Sequence, residues 1–335
     1  MEAFIVGSGI HLPERIVPNE EIAGSLGLEP EFIFKSSGIR RRRWAAPGTT
    51  TSSLASVALT HALDDAHVAA EEVDYLLFGT MTPDRFIPGS SPSIQKCSGL
   101  REIPCLDIRA TCCNALYGLH TAKALVTSGA ARCVAICLAE IQSTWLDLSP
   151  KSATISMLFG DGASALIIAN EPREDALEIL DVHLATDGSY VDDLGIRRPG
   201  TEFGMTPAHS LNENVGDYAA RMNGQSVILQ ASRRMVAACQ TVLESNELTA
   251  ADVRWVVPHQ ANANLLAKVV RDIHFPEDKG NVVTVLEDTG NTSSASMGIA
   301  LDSLRRSATI RPNDYLLLPA FGAGFTWGAG LCRAL

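Results

Sequence analysis

Three side chains in this 335-residue chain have the types that acyl chemistry needs: Cys112, His259 and Asn291. The stretch Asp107-Ile-Arg-Ala-Thr-Cys112-Cys113-Asn-Ala-Leu reads as a strand end, a tight turn of small residues and a helix start. A cysteine placed there meets the positive end of a helix dipole and free N–H groups, which favour thiolate over thiol. Such a thiolate is a nucleophile for acyl transfer. The plain alternative is a core thiol, because free cysteine is among the most buried residue types. His259, in Pro258-His259-Gln260-Ala261-Asn262, and Asn291, in Gly290-Asn291-Thr292-Ser293, stand at a strand end and a helix start. Beside a thiolate they would donate hydrogen bonds to a thioester carbonyl and to the enolate formed from it. Taken alone, each reads equally well as a cap of its own helix. Ala323, between two glycines, offers a backbone N–H to the oxyanion on the acylated cysteine, alongside the N–H of Cys112 itself.

The elements that must position these groups show in the apolar periodicity. Ala115, Leu116, Leu119, Ala122, Leu125 and Val126 predict a helix that closes at Ser128-Gly129. Upstream, residues 2–10 read as a strand, 19–26 as a helix capped by Asn19, and 51–66 as a helix. Downstream, 221–246 reads as one long helix, 255–258 as a strand, 263–274 as a helix, and 282–286 as a strand. Gly290-Asn291-Thr292-Ser293 then opens a helix running to Arg306. Phe159-Gly-Asp-Gly162 in the first half matches Phe321-Gly-Ala-Gly324 in the second. The pattern predicts a duplicated α/β unit with halves at 1–172 and 173–335, in which Cys112 and Asn291 open corresponding helices that face one another. Strand carboxyl ends are where such sheets place their sites.

Composition narrows the function classes. Hydrophobic residues make up 46% and charged ones 19%, so the chain is globular. With 27 basic against 38 acidic residues the net charge is −11, which argues against a nucleic-acid partner. Apolar runs are short, so no membrane span is expected, and the N-terminus reads as a first strand, not a signal peptide. Eight cysteines without a Cys-x-x-Cys pair, and with no histidine close by to complete a zinc set, read as reduced thiols of a cytoplasmic protein with no metal. The run Arg40–Arg43 suits either an anionic partner or internal carboxylates. His61 reads as a structural histidine. Gly160-Asp161-Gly162 lacks the following helix and lysine of a phosphate loop.

Six motifs in order carry a family resemblance: Gly38-Ile39-Arg40, Asp107-x-x-x-x-Cys112, Phe159-Gly-Asp-Gly-Ala163, Pro258-His259-Gln260-Ala261-Asn262, Gly290-Asn291-Thr292-Ser293-x-Ala295-Ser296 and Phe321-Gly-x-Gly-Phe325-Thr326-Trp327-Gly328. Over essentially its whole length the chain resembles the β-ketoacyl-acyl-carrier-protein synthase III family of the thiolase superfamily. The resemblance implies a homodimer of thiolase-like, five-layered αβαβα α/β fold. It implies a Cys112 nucleophile, with His259 and Asn291 serving a decarboxylative Claisen condensation. The substrates it implies are thioesters of coenzyme A or acyl carrier protein, with no other cofactor. Its substrate-binding positions fall on Phe32, Ile87, Phe159, Met222, Gly224, Ile228, Asn262, Asn264 and Phe321. Several depart from the family pattern. Phe32 and Ser36 replace a tryptophan and an arginine that clamp coenzyme A. Ala153 and Asn264 replace arginines on the nucleotide and carrier-protein side. Asn114 replaces a glycine, and Ile87 and Ile228 replace pocket phenylalanines. The runs Thr82-Pro83-Asp84 and Ile103–Ala110 are similar to quinolone-forming condensing enzymes, and related branches make α-pyrones, which points to specialised metabolism. The rivals are acyl transfer to an oxygen or nitrogen acceptor, the fatty-acid-initiating role, an idle partner subunit, and Cys113 as the nucleophile.

Overall fold

The computed structural model describes residues 1–202, 218–276, 281–307 and 309–335. Ten strands join in one mixed sheet: β1 (Phe4–His11), β2 (Tyr75–Gly79), β3 (Cys105–Ile108), β4 (Cys133–Glu140), β5 (Gly162–Ala169), β6 (Leu177–Thr186), β7 (Val253–Val256), β8 (Asn281–Val282), β9 (Tyr315–Gly322) and β10 (Thr326–Ala334). Their order is β8-β7-β9-β10-β6-β1-β5-β4-β2-β3. The first five strands run outward from the centre as 1-5-4-2-3 and the second five as 6-10-9-7-8, which is the same order advanced by five. Parallel and antiparallel pairings repeat as well: β2 is parallel to β3 and β4, as β7 is to β8 and β9. The halves meet where Phe4 and Ile5 pair with Glu178 and Leu177.

Five helices build the layers: α1 (Thr51–Ala66), α2 (Asn114–Thr127), α3 (Gly224–Glu244), α4 (Ala263–Asp272) and α5 (Ser296–Arg306). Helices α2 and α5 form the middle layer. Leu116, Leu119 and Val126 of one and Met297, Ile299 and Leu301 of the other share a single buried cluster with strands of both halves. Outside the first half lies α1, against β1, β4 and β5, and outside the second lies α3, against β6, β9 and β10. The result is the five-layered αβαβα arrangement of a thiolase-like fold. Strand β4 is buried at every position, as expected of a strand covered on both faces.

Small residues set the layer spacing. A Cβ on Gly9 would stand 2.3 Å from Ala62 N and 2.5 Å from Ala58 O, so β1 and α1 touch backbone to backbone. The predicted helix at 51–66 has its expected bounds and is capped by Thr50, whose side chain accepts the Ser53 N–H.

Three local expectations are corrected. Asn19 does not cap its helix (Asn19–Leu26). Its amide donates to Ile39 O and accepts from the buried Arg42 guanidinium. The run 282–286 is a strand only at its start, because the Val285 N–H turns to Gln260 Oε1 and Leu286–Thr289 is helical. Helix α3 begins at Gly224, since Arg221 and Met222 pair with Gly195 and Leu194.

Candidate active site

Strand β3 delivers the cysteine. Beyond it Thr111 has φ of +52°, followed by a 3-10 turn (Thr111–Cys113) and then α2. The second half repeats this device: Ser293 has φ of +47°, in a 3-10 turn (Ser293–Ala295) that leads into α5. Non-glycine residues held in this region cost about 1–3 kcal/mol and persist where neighbours fix them. Here the Thr111 hydroxyl donates to Ala323 O at 3.2 Å, and the Ala110 N–H donates to Asn114 Oδ1 at 2.6 Å. Gly322 permits the approach, for a Cβ there would stand 2.2 Å from Thr111 Oγ1 and 3.0 Å from Cys112 N.

A chain of hydroxyls joins the three predicted groups. Cys112 Sγ lies 3.5 Å from Ser293 Oγ. The Ser293 N–H donates to Asn291 Oδ1 at 2.8 Å. Ser296 Oγ lies 3.0 Å from Ser293 O and 2.6 Å from His259 Nδ1, and it accepts the Gln260 N–H at 3.1 Å. His259 and Asn291 are held by backbone as well, the first through its N–H to Pro319 O and the second through its N–H to Leu158 O. The Asn291 side chain takes the first N–H of the 3-10 turn, while His259 does not cap its helix. That role after His259 falls to Asn262, which accepts the Asn264 and Leu265 N–H groups. Cys113 is fully buried and its thiol points to Thr326 O at 3.4 Å.

Burial sets the resting charges. It pushes the Cys112 thiol up from 9.0 to about 11; the Ser293 hydroxyl opposes this and the Glu140 carboxylate adds to it. The sequence-based expectation of a resting thiolate is therefore corrected: desolvation outweighs the helix start. His259 is pulled down by burial from 6.5 to about 4 and is neutral at pH 7. Glu140, at the end of β4, is pushed up by burial to about 7 against hydrogen bonds from Ser294, Thr82 and the Met81 N–H.

A cavity of about 370 Å³ opens from Cys112, with Thr111, Ser293 and Ala323 beside it and Phe86, Trp145, Leu146, Ile155, Phe159 and Ile196 among its walls. Of the predicted substrate-binding residues Phe159 lines it. Ile87 is 77% exposed and turned away, and its neighbour Phe86 takes the wall. The others lie elsewhere. The Asn262 and Asn264 amides donate to Ser36 O, tying α4 to the helix Pro30–Ser37, on which Phe32 is exposed. Met222 and Gly224 stand at the start of α3, Ile228 is exposed one turn on, and Phe321 is buried against Phe325.

The arginine run is absorbed internally. Arg40 and Arg41 pair with Glu287 and Asp288, and Arg42 donates to Asn19 and Met157 O. His61 Nδ1 lies 2.8 Å from Ile10 O, a structural contact. Asp161 accepts from the Ala45 and Ser143 N–H groups and so fixes its turn. Sequence reading missed Ser293 and Ser296 as site residues, although two hydroxyls at i and i+3 just after Asn291 were the available signal. It also missed Glu140, a lone acid closing an apolar strand.

Comparison with known proteins bears on the family and the fold. Residues 106–188 match the family model described as 3-oxoacyl-[acyl-carrier-protein (ACP)] synthase III, and residues 243–334 match the model of its C-terminal part. The chain is 35% identical over 332 residues to a β-ketoacyl-[acyl-carrier-protein] synthase III of Chlamydia caviae, covering 99% of this chain and 97% of the relative. It superposes with TM-score 0.88 on 3-oxoacyl-[acyl-carrier-protein] synthase III from Aquifex aeolicus, at 28% identity and 99% coverage of both chains. It does so again with TM-score 0.88 on the priming β-ketosynthase of the R1128 polyketide pathway, at 31% identity, covering 100% of this chain and 96% of that one. With the family models, the full-length identity and the shared fold in agreement, the chain belongs to the 3-oxoacyl-[acyl-carrier-protein] synthase III family of condensing acyltransferases.

Proposed function

We propose that this enzyme loads an acyl group onto Cys112 and joins it to a malonyl or β-ketoacyl thioester by carbon–carbon bond formation, in a specialised polyketide, quinolone or α-pyrone pathway. The observation that carries the reading is the hydroxyl chain linking Cys112, Ser293, Asn291, Ser296 and His259, of which Cys112 and Ser293 line a mostly apolar cavity.

In the first step the Cys112 sulfur attacks the thioester carbonyl. The oxyanion rests on the N–H groups of Cys112 and Ala323. As the donor carbon–sulfur bond breaks, the cysteine's proton leaves with the departing thiol. In the second step a malonyl thioester takes its place, and its carbonyl oxygen accepts from His259 and Asn291. For His259 to donate to that oxygen its proton must sit on Nε2, with the Ser296 hydrogen turned from Ser293 O to His259 Nδ1, 2.6 Å away. Asn291 Oδ1 is occupied by the Ser293 N–H, which frees its NH₂ to donate. Loss of carbon dioxide gives the enolate, whose carbon attacks the acyl carbonyl and expels the Cys112 sulfur as a thiolate, which takes a proton from solvent to restore the resting thiol. No group outside the chain and its substrates enters these steps.

We place the boundary between the halves at 172/173, between β5 and β6, and the enzyme in the cytoplasm as a homodimer that takes its acyl groups from coenzyme A or acyl carrier protein. Support for the dimer is the free edge at β3, where Leu106 is 44% exposed beside Phe86 at 60% and Ile87 at 77%. Specialised metabolism rests on the lost coenzyme A contacts at Phe32, Ser36 and Ala153, on the lost carrier-protein arginine at Asn264, and on likeness to a polyketide priming enzyme.

The test separates the two half-reactions. His259→Ala and Asn291→Ala still gain the acyl mass on Cys112, while carbon dioxide release and ketone product fall at least 100-fold. Loss of both half-reactions to the same extent would contradict this division of labour. Acyl transfer to an alcohol or amine without carbon dioxide release would favour the oxygen- or nitrogen-acceptor reading.

A further inference from the structure

The cavity that opens from Cys112 carries three guanidinium groups, Arg85, Arg109 and Arg198, and among the described residues no Asp or Glu lines it. This stands out in a chain of net charge −11. Some arginines elsewhere are matched to carboxylates, as Arg234 is to Asp187, Arg305 to Asp65 and Arg333 to Glu178. Arg85 and Arg109 have no hydrogen-bond or ion-pair partner among the described residues, and the acids nearest them in sequence are engaged. Asp84 accepts the Ser52 N–H, and Asp107 accepts the Ser90 and Ser91 N–H groups. Arg198 lies across the same cavity with its guanidinium 5.9 Å from the Tyr218 ring centroid.

Two exposed arginines bordering an apolar cavity fit an apolar chain that ends in an anion, because a guanidinium binds a carboxylate through two parallel hydrogen bonds. Two negative groups of the reaction are candidates. The malonyl carboxylate fits poorly: a cation that stabilises it in the ground state opposes its loss as carbon dioxide. A carboxylate that survives the reaction has no such conflict. We propose that the acyl group taken up by Cys112 carries a carboxylate at its far end, so that the donor is the half-thioester of a dicarboxylic acid, held by Arg109 and Arg85. The proposal rests on the reading that Cys112 is acylated. In the step itself the sulfur–carbonyl bond forms, the donor thiol leaves with the proton, and the distal carboxylate stays ionised and unreacted.

The experiment times acylation of the full chain by intact-mass spectrometry with two N-acetylcysteamine thioesters of equal length, hexanoyl and adipoyl, which carry no phosphate. The expected result is at least tenfold faster labelling by adipoyl, with the ratio cut at least tenfold in Arg109→Gln and Arg85→Gln and inverted in Arg109→Glu. Circular dichroism and the urea midpoint of each variant establish that it is folded. Equal or faster labelling by hexanoyl overturns the proposal, as does an adipoyl preference unmoved by Arg85→Gln, Arg109→Gln and Arg109→Glu. Labelling that requires a phosphopantetheine donor and ignores the acyl carboxylate also overturns it and assigns the arginines to the phosphate of the arm. If no donor labels Cys112 at all, the acyl-enzyme reading falls first, an outcome distinct from labelling without preference.

Discussion

At Cys112 two effects oppose each other. The start of α2 and the Ser293 hydroxyl favour the thiolate, while burial and the nearby Glu140 carboxylate favour the thiol, which prevails with a pKa of about 11. At rest the pair is therefore a neutral thiol and a neutral imidazole. Iodoacetamide labelling against pH, followed by peptide mapping, reads this directly. Cys112 should titrate near 11. Glu140→Gln removes a negative neighbour and moves the midpoint down, while Ser293→Ala removes the stabilising hydrogen bond and moves it up. A wild-type midpoint at the ordinary thiol value of 9.0 would show that burial does not govern the site. The placing of Cys112, His259 and Asn291 at a strand end or helix start was legible, because local pattern sets it. Their charge states were not, since burial is a property of the packed chain and Glu140 lies twenty-eight residues away along it.

Elements were legible where local pattern decides and misread where a distant partner does. Helix α1 has both a capping threonine and continuous apolar spacing, and its bounds match the reading. The run 282–286 is β-branched enough for a strand, yet a glutamine side chain from beyond β7 takes the Val285 N–H that a ladder needs. Likewise Asn19 looks like a cap until Arg42, from another strand, claims its carbonyl oxygen. The layer contact between β1 and α1 supplies an element-scale prediction. Gly9→Ala forces a methyl to 2.3 Å from the Ala62 backbone N, so strand and helix must separate. The expected loss is about 3 kcal/mol, the upper part of the range for overpacking, measured as a lower urea midpoint. A change below 0.5 kcal/mol would mean that the layers are not in backbone contact there.

On the scale of the molecule, the repeat does the positioning. Two copies of one strand order share a middle layer, and each sends a left-handed residue and a 3-10 turn into a helix start, so that Thr111 and Ser293 face one site from opposite halves. The duplication was visible in the two Phe-Gly-x-Gly turns. The lining of the cavity was not: Phe86, Arg85 and Arg109 come from loops, and Trp145 from a short 3-10 turn, whose paths no periodicity encodes. The free edge at β3 gives the second whole-molecule prediction. Sedimentation should show a dimer, and Leu106→Arg with Ile87→Asp should shift it to monomer; an undissociated double variant would place the interface elsewhere. The central claim is that one sulfur, at residue 112, carries the acyl group. Intact-mass and peptide analysis after incubation with an acyl thioester tests it most directly: the account predicts a single adduct on the Cys112 peptide and none on a folded Cys112→Ala variant, and a stable adduct on that variant, at Cys113 or anywhere else, would contradict it.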